Sequence, residues 1–312
     1  MTARRLVVLG GTGFVGRHLL PRLSADGHRV LVLSRNRERH RALGVLPGVH
    51  VRSADVYDDA ALRTALGGAD AAINLVGILN PSGPHSFRRA HVDLARRLIA
   101  ACVDTGVPRL HQMSALKAGQ GLSNYLKTRG EAEALVKGSR LAWTIYQPSV
   151  IFGEGDGLVN RFATLLRRLP VLPLARARAR LAPTWAGDVA AAIARCVREE
   201  HATRGRSYEL YGPEVLALGD IVKAIRDTAG LRTPILPLPD GLGRLQAQLA
   251  GLLPGTPFSL DNFRTLRTDS VGKVDGYAAL GLRPQPFTPW LPVLLHGPAR
   301  QRRLDATRRA VR

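Results

Sequence analysis

The run VVLGGTGFVG at residues 7–16 constrains this chain more than any other stretch. An apolar strand passes straight into glycines spaced G-x-x-G-x-x-G, at Gly10, Gly13 and Gly16. There a buried strand must turn abruptly into a helix, and the main chain must lie against something bulky and anionic. Gly10 lets the backbone turn, Gly13 removes the Cβ that would hold a pyrophosphate away, and Gly16 lets the new helix lie close on the sheet. The N–H groups around Thr12, Phe14 and Val15 then face the phosphates. Glycine-rich turns also end ordinary strands, so the context decides. A strand precedes, an amphipathic stretch with Phe14, Val15, Leu19, Leu20 and Leu23 follows, and Gly27 leads to a second strand. A dinucleotide site is expected.

Charge is the unusual bulk property: 45 Lys+Arg stand against 24 Asp+Glu, a formal net charge of +21 in 312 residues. Such a field attracts nucleic acid, an anionic membrane surface or an acidic protein. No zinc finger, aromatic RNA-binding motif or helix-turn-helix pattern supports nucleic acid, and the arginines are widely scattered. Two clusters point instead to an acidic partner or a membrane surface. Arg176, Arg178 and Arg180 alternate with alanine and would share one face if extended, and the tail at 301–312 carries five arginines. No apolar run reaches the roughly 18–20 residues that span a bilayer. The N-terminal apolar run is already the first strand, which argues against a signal peptide. Cys102 and Cys196 suggest no disulfide framework, and nine dispersed histidines offer no metal cluster. A cytoplasmic location, peripheral to an inner membrane if the basic surface docks there, is expected.

The first half alternates strand and helix as a parallel sheet requires. Strands are expected at 6–9, 29–33, 49–52, 71–76, 109–113 and 142–147. Helices are expected at 58–66, 87–105 and 123–137. The fold class is therefore α/β, a Rossmann-type doubly wound parallel sheet with a smaller C-terminal α/β lobe. Proline and glycine become frequent after Pro148, which suggests a nucleotide domain at 1–150 and a substrate or partner lobe at 151–312. A helix at 188–198, with Asp188 as its cap, is expected to fold back on the first domain. Others are expected at 218–229, 243–252 and 261–266.

An acidic residue ending the second strand would bind the adenosine ribose hydroxyls; Ser34-Arg35-Asn36-Arg37 stands there instead. A guanidinium fork suits a 2′-phosphate, so Arg35 favours NADP(H), with NAD(H) the alternative. Asp55 is placed either to accept from the adenine amino group or simply to form a turn. Val76 and Gly77, ending the fourth strand, would let the backbone approach a ribose.

Ser114 follows the fifth strand and Tyr125 opens the next helix. With the GGTGFVG fingerprint, these residues make the chain resemble the short-chain dehydrogenase/reductase superfamily. The resemblance implies that Ser114 orients a substrate oxygen and Tyr125 donates a proton, with a lysine four residues on lowering the tyrosine pKa. Residues i and i+4 do share a helix face, and a nearby cation does favour phenolate. Here, however, the i+4 residue is Arg129, a guanidinium that cannot lend a proton. Lys127 lies about 200° round the helix from Tyr125 and cannot replace it.

The segments SNYLKTRGE (123–131), QPSVIFG (147–153), APTWAGDVA (182–190) and PGTPFSLDNFRTLRTDS (254–270) add a closer likeness. Together they resemble the atypical subgroup containing the nucleotide-binding accessory subunit of respiratory complex I and its bacterial relatives. That resemblance implies tightly held NADP(H), backbone near Pro148 lying by the nicotinamide, and a structural rather than catalytic role. Gln147 stands where relatives often have arginine. Ser114 lacks a G-x-S-x-G elbow, which argues against a hydrolase. Three readings remain open: an oxidoreductase acting on a small carbonyl or quinone-like substrate, a nucleotide-loaded structural or assembly factor, and a sugar-nucleotide epimerase or dehydratase.

Overall fold

A computed structural model describes residues 2–81, 86–250 and 258–296 of the chain. The basic tail at 301–312 and part of the 254–270 segment lie outside those residues. The chain forms two compact units. Met1–Ser149, Ala186–Tyr211 and Gly272–Arg283 make the first, and Val150–Trp185, Gly212–Val271 and Pro284–Arg312 the second. The chain therefore crosses between units several times rather than dividing once at residue 150.

The first unit is built on a seven-stranded sheet. Its strands are β1 (Arg5–Leu9), β2 (Arg29–Ser34), β3 (Val49–Ser53), β4 (Ala71–Asn74), β5 (Arg109–Met113), β6 (Ala142–Pro148) and the late strand Arg206–Leu210. All pairings are parallel, in the order Arg206–Leu210, β6, β5, β4, β1, β2, β3. Helices cover both faces of a parallel sheet, so central strands read as continuous apolar runs. In β1, Leu6 to Leu9 are all fully buried, with Leu6 between Val30 of β2 and Ala71 of β4. The order reverses at β1, which puts a crevice at the carboxyl ends of β1 and β4.

The helices start where their caps dictate. In α2 (Asp59–Leu66), the Asp58 carboxylate accepts from the N–H groups of Ala60 and Ala61. In α4 (Asn124–Lys137), Ser123 Oγ accepts from Leu126 N at 3.2 Å. Two expectations need correction here. The single helix expected at 87–105 is a π-helical turn, Arg88–Asp93, leading into α3 (Leu94–Asp104). Asp188 does not cap its helix, which begins at Ala186 and runs to Arg198, with Asp188 buried inside the first turn. That helix packs against α1 (Phe14–Ala25), within the first unit.

At the start of β5, Arg109 is buried but not idle. Its guanidinium donates to Ala142 O, Thr144 Oγ1 and Thr203 Oγ1. His111 Nδ1 lies 2.8 Å from Tyr146 Oη, their rings stacked. Both cysteines are buried, and burial raises their thiols, Cys102 to about 12 and Cys196 to about 11, so neither presents a reactive thiolate.

The second unit has its own apolar core, which includes Phe152, Leu166, Ile221, Val222, Phe287 and Leu291. Phe152 and Phe287 meet edge to face at 5.0 Å. A short parallel pair joins Leu172–Ala175 to Ile235–Leu238. The expected helices lie at Leu218–Thr228, Asp240–Ala250 and Leu260–Thr265. The arginines at 176, 178 and 180 do not form one extended face. Arg176 takes φ +57 in a turn and donates from Nη1 to both carboxylate oxygens of Asp240, at 2.8 and 2.7 Å.

Candidate functional site

The expected site residues follow the carboxyl ends of successive parallel strands: Gly10 after β1, Arg35 after β2, Asp55 after β3, Val76 and Gly77 after β4, and Ser114 after β5, with Pro148 ending β6. Topology alone therefore brings them to one edge of the sheet.

At the first turn, Gly10 has φ +73, a left-handed conformation that glycine adopts without strain. A Cβ on Gly10 would lie 2.9 Å from Val76 N, so β1 and β4 approach there as closely as main chains can. Gly13 N donates to Gly10 O at 3.0 Å, and Gly13 caps α1 with no side-chain cap bond. The first N–H groups of α1, at Phe14 and Val15, accordingly meet no capping side chain. No acidic residue sits in the first turn of α1. Around Gly13 only Gly10 O, at 3.1 Å, would meet an added Cβ, whereas a Cβ on Gly16 would stand 2.1 Å from Gly11 O. Gly13 is thus exposed with one close main-chain neighbour, and Gly16 fills a much tighter contact. A bare, exposed helix start suits a diphosphate. Thr12 is half-buried beside it.

Beyond β2, Arg35 is exposed, and Arg37 is exposed with Glu38 at 3.6 Å. Arg35 acts electrostatically on Tyr57, as do Asp55 and Arg89. Burial raises the Tyr57 phenol, and the two arginines oppose that rise. The Arg89 guanidinium sits 4.4 Å from the Tyr57 ring centroid. Asp55 Oδ1 accepts from Tyr57 N at 3.1 Å, so this carboxylate does form the turn. Tyr57 was not anticipated as a member of the group; an aromatic after a strand carries no signal of its own.

At the ends of β4 and β5, Asn74 Nδ2 donates to Gln112 Oε1, and Asn74 Oδ1 accepts from Val76 N. Arg129, buried on α4, donates from Nη1 to Met113 O at 2.9 Å and to Val76 O at 3.4 Å. A Cβ on Gly77 would lie 2.1 Å from Arg129 Nη2. Gly77 therefore makes room for this guanidinium. Arg129 also lies 5.6 Å from the Tyr125 ring centroid, in cation–π range. Lys127 points to solvent. Ser114 is buried, and its Oγ has no hydrogen-bond partner. Gln147 Nε2 donates to Glu133 Oε1 on α4, a contact internal to the first unit.

His91 of the π-helical turn and Phe87, just before it, join this group. Phe87 and His91 both contact the Tyr125 ring edge to face, at 5.9 and 5.5 Å. Nothing in the sequence marked His91, because its role depends on the π turn that rotates it inward. Among the described residues no three His, Cys, Asp or Glu side chains gather to hold a metal, and no described helix is long and apolar enough to cross a membrane.

Comparison with known proteins agrees with this geometry. A family model described as NAD(P)H-binding matches residues 10–200. The mitochondrial NADH dehydrogenase (ubiquinone) 1 alpha subcomplex subunit 9 of Arabidopsis thaliana is 28% identical over 85% of this chain and 70% of its own length. A ceramide reductase of Caulobacter vibrioides is 32% identical over 60% of this chain and 59% of its own. Among solved structures, an NADPH-dependent quinone oxidoreductase of Escherichia coli, complexed with NADPH, superposes with TM-score 0.74 at 19% identity, covering 93% of this chain and all of that one. This last likeness is one of fold. With its glycine turn, uncapped helix start and strand-end edge, the chain belongs to the NAD(P)H-binding family.

Proposed function

We propose that the protein holds NADP(H) as a bound component and serves as an accessory or assembly factor of a respiratory-type membrane complex, with little or no hydride-transfer turnover. The observation that carries this reading is the engagement of Arg129. Where a working reductase would place a mobile ammonium beside its tyrosine, this chain has a guanidinium tied to Met113 O and Val76 O. Such a group stays protonated and cannot relay a proton. The slot that Gly77 leaves is already filled by it. Tyr125 would meet the nicotinamide side of the site with a fixed guanidinium beside its ring in place of a lysine.

Exposed Arg35 after β2, where no carboxylate repels a 2′-phosphate, supports NADP(H) over NAD(H). The formal charge of +21 supports docking on an acidic protein or an anionic inner-membrane surface. The likeness to a complex I subunit supports the same setting.

The test begins by purifying the protein, releasing its nucleotide with denaturant and identifying it by mass. NADP(H) is expected. NADPH oxidation is then followed with a panel of small carbonyls and quinones, alongside a pull-down from membrane fractions. Turnover at or above about 1 s⁻¹, the low end for ordinary enzymes, would overturn the accessory reading.

One observation favours a second reading, that of a carbonyl reductase. Ser114 Oγ is buried without a partner, as expected of a hydroxyl waiting for a substrate oxygen, and the ceramide reductase relative fits that chemistry. Under this reading Tyr125→Phe abolishes whatever turnover is measured; unchanged turnover removes Tyr125 as the acid.

A further inference from the structure

We infer that His91 is a ligand-binding residue, whose bare Nε2 accepts a hydrogen bond from a hydroxyl or amide N–H of the bound molecule. This deepens the proposed nucleotide site and rests on that reading.

The assignment follows from proton counting. Thr128 Oγ1 donates to Asn124 O at 2.7 Å, which uses its only proton. His91 Nδ1 lies 2.9 Å from the same oxygen; with the hydroxyl proton directed at the helix carbonyls of Asn124 and Tyr125, the ring hydrogen is assigned to Nδ1, which donates to that oxygen. In a neutral ring Nε2 is then left as a lone pair. That nitrogen is buried, on a residue 1% exposed, and has no partner in the protein. A buried acceptor left unmatched is costly, and such orphans cluster where a ligand completes the bonding. Burial, aided by Arg129, holds the His91 pKa down at about 2, so the lone pair stays free of a proton at working pH.

Two further observations tie this nitrogen to the site. His91 belongs to a π-helical turn, a costly insertion that recurs at functional positions. Its ring also meets Tyr125, while Arg129 links that tyrosine to Met113 O, next to Ser114 with its own unpartnered hydroxyl. The protein thus brings a bare acceptor and an unpaired hydroxyl to one end of β5 and α4. A group carrying a hydroxyl or an N–H matches the His91 acceptor. Such a group exists on the nicotinamide half of the cofactor, as ribose hydroxyl or carboxamide, and on a hydroxylic substrate.

The experiment uses the full chain labelled with ¹⁵N-histidine, the His91 signals being assigned by their loss in His91→Gln. In the free protein Nδ1 is expected to be protonated and Nε2 bare; a protonated Nε2 overturns the inference. NADPH is added in one arm, and NADP⁺ followed by 2-octanol in the other. A shift of the Nε2 resonance with NADPH alone assigns the partner to the cofactor. A shift only with the alcohol assigns it to a substrate. Whichever ligand moves the signal should bind about two- to tenfold more weakly to His91→Leu, the worth of one hydrogen bond. His91→Gln, which keeps an acceptor near the same place, should restore binding. NADPH that binds without moving Nε2, with no response to 2-octanol either, overturns the inference and leaves the nucleotide site intact. If NADPH fails to bind at all, the proposed function falls. The alcohol arm without nucleotide then still decides His91, an unmoved signal counting against it.

Discussion

The Nη2 atom of Arg129 occupies the position that a methyl group on residue 77 would need, 2.1 Å from the ideal Cβ of Gly77. The bare backbone after β4 and the long side chain from α4 thus specify one another. A glycine that sequence reasoning assigns to close approach of a ribose also opens a channel for the protein's own guanidinium.

This pairing can be measured as a coupling. Gly77→Ala should displace the guanidinium and break its bonds to Met113 O and Val76 O, lowering stability by about 1–3 kcal/mol. The same substitution in an Arg129→Ala background should cost far less, because the slot is already vacated. Urea midpoints of the four proteins test this. Additive losses would show that the two residues do not share the slot.

The glycines of the first turn should fail in different ways. Gly13→Glu places a carboxylate at the exposed start of α1 and should abolish NADPH binding while the fold stays largely intact. Gly16→Ala drives a methyl to within 2.1 Å of Gly11 O and should cost about 1–3 kcal/mol or more of stability. Fluorescence titration with NADPH and thermal unfolding separate the outcomes. Unaltered NADPH affinity in Gly13→Glu would mean that the site lies elsewhere.

Cofactor choice should turn on Arg35. Arg35→Asp replaces an exposed guanidinium after β2 with a carboxylate that repels a 2′-phosphate and accepts from ribose hydroxyls. The ratio of NADPH to NADH dissociation constants should shift toward NADH by at least about tenfold, the scale of one charge-assisted hydrogen bond. An unchanged ratio counts against Arg35 as the discriminator.

How much of this was legible in the sequence depended on how local the cause was. The six strands of the first half were readable to within two residues, because central parallel strands such as β1 are uninterrupted apolar runs. The helix start at Asp58 was equally local. The π turn at Arg88–Asp93 was not, since an inserted residue changes no pattern of residue types. Asp188 looked like a cap because capping chemistry is common, yet its helix begins two residues earlier at Ala186. The alternating arginines read as a strand, but Arg176 is drawn into a turn by Asp240, distant in sequence. The Arg129 substitution was visible; where its guanidinium goes was not, because that depends on Gly77, Val76 and Met113 meeting in space.

Acid should weaken the fold for a definable reason. Burial holds His91 at about 2 and His111 well below its usual value, against 6.5 for an ordinary histidine. Between about 2 and 6.5 the unfolded chain therefore binds protons that the native imidazole of His91 refuses, so stability drops as pH falls below 6.5. Each such histidine adds up to about 1.4 kcal/mol per pH unit to that slope. Urea unfolding at pH about 7.5 and about 5 should show a shallower decline in His91→Gln than in the parent chain. Equal slopes would mean that His91 takes up its proton in the native state.

The weaving of the chain limits how the protein can be cut. The seventh strand, Arg206–Leu210, and the Ala186–Arg198 helix that covers α1 arrive only after the excursion through Val150–Trp185. A fragment ending near residue 150 would keep every glycine of the phosphate turn, yet it would leave β6 as a raw margin and strip the outer side of α1. Such a half-molecule should clump rather than serve as a minimal nucleotide module; biochemists wanting a smaller protein must shorten the loops instead of dividing the chain.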